Sequence, residues 1–103
     1  MNKYIHVRQI DEKGNFCSTG GLTIVYTHSN KDIFFAVARC SERDQFCKLV
    51  GRKIALERLL KEGPLDVVEL KHPITNTIIA WISENYYDKP VIIINVNGRW
   101  IME

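Results

Sequence analysis

The run from Leu22 to Cys40, "LTIVYTHSNKDIFFAVARC", limits the possible folds more than any other part of the chain. Successive side chains of a β-strand point to opposite faces, so "LTIVYTH" puts Leu22, Ile24 and Tyr26 on one side and Thr23, Val25 and Thr27 on the other. After the short polar turn "SNKD", "IFFAVARC" is apolar on both sides, as expected of a central strand covered above and below. A turn this short joins antiparallel neighbours. Upstream, "YIHVRQI" has the same β-branched and aromatic character and stops at "DEKGN", where Gly14 suits a hairpin turn. "FCSTGG" then breaks at Gly20 and Gly21, where a turn or bulge fits and no phosphate-binding loop opens. The first forty residues thus predict an antiparallel β-meander.

Helical periodicity takes over next. Ser41 fits an N-cap, with Asp44 three residues on in a capping-box position, and Gly63 before Pro64 is a stop signal. A helix is predicted from Glu42 to Glu62. "LDVVEL" has the look of a short strand, and His72 with Pro73 opens the next element. In "PITNTIIAWISENYYD", Ile74, Ile78, Ile82 and Tyr86 recur every four residues beside Trp81, which predicts a second amphipathic helix over a competing strand. "VIIINVNGRWIME" closes the chain as two apolar runs joined by Asn97-Gly98, a strong hairpin signal. The predicted fold class is therefore α+β: a meander, two packed amphipathic helices and a C-terminal β-hairpin that joins or extends the sheet. At 103 residues the chain suffices for one core, and residues 1–103 are read as a single domain.

With 46% hydrophobic and 25% charged residues, the composition is that of a soluble globular protein. The 14 basic and 12 acidic residues leave a net charge of only +2, too little to attract nucleic acid or membrane by bulk charge, so any anion site has to be local. "MNKYIHVRQI" leaves no room for the apolar stretch of a signal peptide, and no apolar run is long enough to span a membrane. A soluble cytoplasmic protein is expected. Cys17, Cys40 and Cys47 lack metal-ligand spacing and are read as reduced thiols, with Cys40 and Cys47, which flank the helix start, read as buried. His6, His28 and His72 stand singly, so no metal is predicted. No nucleophile elbow or other catalytic signature occurs, and neither an enzyme nor a cofactor is expected.

On a helical wheel, Phe46, Cys47, Val50 and Ile54 form one apolar stripe of the first helix, and Leu49, Leu56, Leu59 and Leu60 form a second. So wide an apolar surface calls for two partners: the sheet, and either the second helix or another subunit of a homo-oligomer. The remaining sector holds Lys48, Gly51, Arg52, Ala55 and Arg58. Small residues one turn apart let a ligand approach the backbone closely, and arginine donors match phosphate oxygens, so these five are the candidate ligand-binding residues. The same residues also fit a solvated basic face on which Gly51 and Ala55 admit a neighbouring helix or strand. Tyr4, Tyr26, Phe34 and Phe35 on strands could stack bases, although the signature of an RNA-binding sheet is missing.

"ARCSERDQFCKLVGRKIALERL", with Ala38-Arg39-Cys40-Ser41, Asp44, Phe46, Gly51-Arg52, Ile54-Ala55 and Arg58-Leu59, resembles small accessory proteins encoded by tailed bacteriophages. Some phage proteins of this size counter bacterial defence, among them the Thoeris anti-defence family, which sequesters cyclic nucleotide signals without cleaving them. The resemblance implies a phage origin and an inhibitory or sequestering role, and carries over no ligand-binding residue. The expected function is non-enzymatic binding of a phosphorylated, nucleotide-like small molecule. The alternatives are inhibition of a host protein through the exposed helix face and the hairpin around Trp100, and nucleic-acid binding.

Overall fold

A computed structural model describes residues 1–103. Three antiparallel strands come first: β1 (Lys3–Gln9), β2 (Leu22–Ser29) and β3 (Asp32–Arg39). Helix α1 (Lys48–Lys61) follows, then the short strand β4 (Asp66–Glu69), helix α2 (Ile74–Asn85), and strands β5 (Ile93–Val96) and β6 (Arg99–Met102). Together the strands form one six-stranded sheet in the order β4-β3-β2-β1-β6-β5. All neighbours are antiparallel except β1 and β6, which run parallel with Val7 opposite Trp100. A parallel pair needs a long crossover, and the chain between β1 and β6 supplies it.

Two tight turns follow from local chemistry. Asn30 joins β2 to β3 in the left-handed region (φ 55°), which asparagine tolerates better than most residues. Asn97 and Gly98 are both left-handed (φ 52° and 82°), the requirement of a two-residue turn whose twist matches that of β5 and β6.

The sheet carries one helix on each face. Leu22, Ile24, Tyr26, Ile33, Phe35 and Val37 pack with Ile5 and Val7 beneath Ile78, Ile79 and Ile82 of α2, forming the larger core. On the opposite face Val25, Ala36 and Ala38 meet Ala55 of α1, with Tyr4, Leu56 and Leu59 at the margin. The both-sided apolar pattern of β3 thus reflects two separate helix contacts. The expected packing of the helices against each other is corrected: the sheet lies between them.

Three further expectations change. Helix α1 begins at Lys48 rather than Glu42, because residues 41–47 are tied to the β1–β2 connection. Gly20 N–H donates to the carbonyls of Ser41 and Asp44 (both 3.2 Å), and Phe46 N–H donates to Ser18 O (2.9 Å). The hydroxyl of Ser41 accepts from Arg43 N–H (3.2 Å) within this turn, and the helix N-cap is Cys47, without a side-chain bond. Cys47 is exposed rather than buried, because it stands at that free helix end. Finally, the two apolar stripes of α1 are not both covered: Leu49 is 78% exposed, Leu60 is 72% exposed, and Val50 and Ile54 also reach solvent. Ala36 and Ala38 offer a shallow surface that accepts small residues from a close helix, so α1 turns its small-residue sector inward. No helix is long and apolar enough to cross a membrane.

Candidate functional site: a basic, aromatic concavity

The residues expected to form a furrow on α1 do not stay together. Gly51 faces the sheet, where an added Cβ would overlap Thr23 Oγ1 and stand 2.9 Å from Thr23 Cβ. Ala55 is completely buried. The two small residues therefore let α1 lie close against β2 and β3, and buried Ala55 presents no surface to a ligand. Arg58 reaches over the sheet and donates from Nη1 to Val37 O (2.8 Å), tying the end of α1 to β3. Of the five, Lys48 lines a larger concavity and Arg52 contacts its wall residues Tyr4 and His6, whereas Gly51 borders a separate hollow of about 250 Å³ with Val50 and Ile54.

That concavity exists because α1 lies mainly across β2 and β3 and reaches β1 through Arg52, which contacts Tyr4 and His6. On the same face, Arg8 of β1 and Arg99 of β6 lie beyond the edge of the helix. The register puts Val7 opposite Trp100, so His6 and Arg99 are neighbours on this side and Tyr4 and Arg8 flank His6. The loop after β1 contributes Phe16. A cavity of about 520 Å³ opens among Tyr4, His6, Arg8, Phe16, Lys48 and Arg99, with Thr75 and Trp100 at its rim. No Asp or Glu lines it.

Its aromatic and cationic groups are interleaved. The guanidiniums of Arg8 and Arg99 each stand 5.4 Å from the Phe16 ring centroid, and Arg8 is also 4.8 Å from Phe46, within cation–π range. Arg8 Nη2 donates to Cys17 O (3.0 Å), whereas its Nε is buried with no acceptor. An orphaned buried donor costs about 1–3 kcal/mol, so this arginine has unspent capacity for an anion. Arg52 stacks over Tyr4 at 5.2 Å and donates from Nε to His6 Nε2 (3.1 Å).

Hydrogen bonding fixes the state of His6. Because Nε2 accepts from an arginine, the neutral ring carries its proton on Nδ1, which donates to Thr23 Oγ1 (3.2 Å). Burial, reinforced by the positive charges of Arg52 and Lys48, lowers its pKa from 6.5 to about 4. Both nitrogens are engaged, leaving none free to act as a general base. Between pH 6.5 and about 4 the unfolded chain binds a proton at this residue that the folded chain refuses, so stability falls as pH drops through that window and is unaffected above it. An enclosed group would lose about 3 kcal/mol, but this ring is half open to water and about 1 kcal/mol is expected. Urea unfolding at pH 7.5 and 4.5 should show that loss in the native protein and a smaller one in His6→Gln; equal losses in both would contradict the assignment.

The sequence reading missed His6, Arg8, Phe16 and Arg99. A usable signal was present, since Tyr4, His6 and Arg8 alternate with buried Ile5 and Val7 along β1. What could not be foreseen was that β6 would add Arg99 alongside them. No protein-family model matches the chain, and no curated protein or solved structure matches it either.

Proposed function

We propose that this chain is a non-enzymatic binding protein for a phosphorylated, nucleotide-like small molecule, held in the concavity between β1, β6 and the flank of α1. The supporting observation is the cavity of about 520 Å³, with Arg8, Lys48 and Arg99 on its walls, Tyr4 and Phe16 as flat apolar surfaces, and no carboxylate. Its size suits a small ligand. Arginine forks match phosphate oxygens, and the aromatic faces can stack a planar base. The engagement of both His6 nitrogens favours holding over turnover. The resemblance to phage accessory proteins extends this reading to sequestration of a nucleotide signal against host defence.

Single-stranded nucleic acid uses the same chemistry, and the uncovered sheet favours it to a degree. Successive bases, however, need successive stacking platforms and cations. Beyond Arg99 the same face continues into Val96, Ile94 and Ile101, which offer neither. A compact ligand fits better.

The test is thermal unfolding against a panel of linear and cyclic nucleotides. At least one member at saturating concentration is expected to raise Tm by about 5 °C or more. Arg99→Ala should abolish the rise and Arg58→Ala should preserve it, since Arg58 is occupied with Val37 O. A flat response across the panel overturns the proposal. Loss of binding by orders of magnitude between low and moderate salt would instead identify a nucleic-acid strand as the ligand.

A further inference from the structure

The two edges of the sheet are built differently. At one end, β4 begins with Asp66 and finishes with Glu69, and Asp66 Oδ1 accepts the adjacent Val67 N–H (2.8 Å), satisfying a backbone donor locally. Charged residues and locally satisfied backbone groups deter another strand from adding to an edge. At the other end, β5 has neither protection: from Val91 to Gly98 the chain carries no charged residue. Its outer backbone groups have no strand beside them, since β5 ends the sheet order.

The side chains of β5 also lack cover. Ile93 pairs with Met102, and both are buried in the α2-side core. Alternation therefore sends Ile92, Ile94 and Val96 to the opposite face, the one α1 leaves bare over this half of the sheet. They are 78%, 49% and 43% exposed, respectively. Beside them Ile10 and Ile101 border an apolar hollow of about 110 Å³, shared with Ile92 and Ile94. An unprotected strand edge and an apolar row thus coincide on one element.

We propose that β5 is a homodimer interface, pairing antiparallel with β5 of a second copy and extending the sheet across both protomers. The unpaired backbone requires a strand as occupant, and the exposed row requires that strand to be apolar on the same face. A second β5 meets both conditions. A two-fold axis perpendicular to the sheet keeps each face on its own side, so Ile92, Ile94 and Val96 of one copy lie beside the same three residues of its partner. Charge selects this edge as well: antiparallel self-pairing of β4 would place Asp66 against Glu69 of the other copy, whereas β5 has nothing to repel. The proposal is independent of any ligand in the basic concavity.

An interface of one strand pair and a short apolar row is small and belongs to the weak class, so association is expected at concentrations of about 10–100 µM. Sedimentation equilibrium of the purified chain should show the mass rising from 11.9 kDa toward twice that value across this range. Ile94→Lys and, separately, Ile92→Lys should weaken association at least tenfold, and Val67→Lys on the opposite edge should leave it unchanged. Amide exchange of the native protein should slow with concentration at residues 92–96 and not at residues 66–69. The proposal is overturned by a constant monomer mass, by a dimer that survives both lysine substitutions, or by concentration-dependent protection confined to other segments. A monomer that captures a foreign peptide strand along β5 would equally exclude the second copy as its natural occupant.

Discussion

Replacing Gly51 by alanine is expected to destabilise the protein by about 1–2 kcal/mol, as measured by urea or thermal unfolding. The expectation runs against helix propensity, which favours alanine over glycine by about 1 kcal/mol in a helix interior. Were Gly51 on a solvent-facing furrow, the substitution would stabilise the chain. In the structure the new methyl group overlaps Thr23 Oγ1 and lies 2.9 Å from Thr23 Cβ, closer than carbon atoms can approach. Thr23 itself is almost fully buried and bonded to His6, so it has no room to withdraw, and overpacking a tight contact of this kind costs about 1–3 kcal/mol or more. Combining Gly51→Ala with Thr23→Ala should recover part of the loss, because the overlapping hydroxyl goes while Cβ remains. A stabilised Gly51→Ala variant would show that α1 presents a different face to the sheet.

Phe35→Ala is expected to have the largest effect, a loss of about 3–5 kcal/mol. Phe35 is completely buried, packs edge-on against Trp81 with ring centroids 5.2 Å apart, and lies under α2 in the larger core. Its removal leaves a void that strands on both sides prevent from closing. Since domains of this size are stable by about 5–15 kcal/mol, the variant sits close to the folding threshold. Ile54→Ala is the informative comparison. The helical wheel places Ile54 in a core stripe, whereas the structure leaves it 38% exposed, so a loss below about 1 kcal/mol is expected. Similar losses from the two substitutions would contradict the observed orientation of α1.

These cases show why strands were more legible than helix faces. Alternation along β2 and β3 is a property of extended backbone, and each residue's side follows once the strand exists; Leu22, Ile24, Tyr26, Ile33, Phe35 and Val37 lie together as their spacing requires. The same holds for Asn97-Gly98, whose left-handed geometry is an intrinsic preference. A helix, by contrast, exposes its whole circumference, and only its neighbour determines which sector is buried. For α1, hydrophobicity pointed to Val50, Ile54, Leu49 and Leu60, while Thr23 of β2 selected Gly51 and the alanines of β3 selected Ala55. The start of α1 was misread for a related reason. Ser41 and Asp44 fit a capping box in isolation, but their carbonyls are engaged by Gly20 across the β1–β2 connection.

The candidate site divides along the same line. The sequence by itself determined the extended segments, the Asn97-Gly98 turn, the α+β class and the presence of Lys48 and Arg52 on one helix, because each depends on residues within a few positions of one another. Only the tertiary structure decided that the helices lie on opposite faces, that β6 runs parallel beside β1, and that Arg8, Phe16 and Arg99 gather around one cavity. Those arrangements join groups distant in the chain, more than eighty residues for β1 with β6, and what sets them is which surfaces fit closely enough to exclude water, a quantity no local pattern of residues carries.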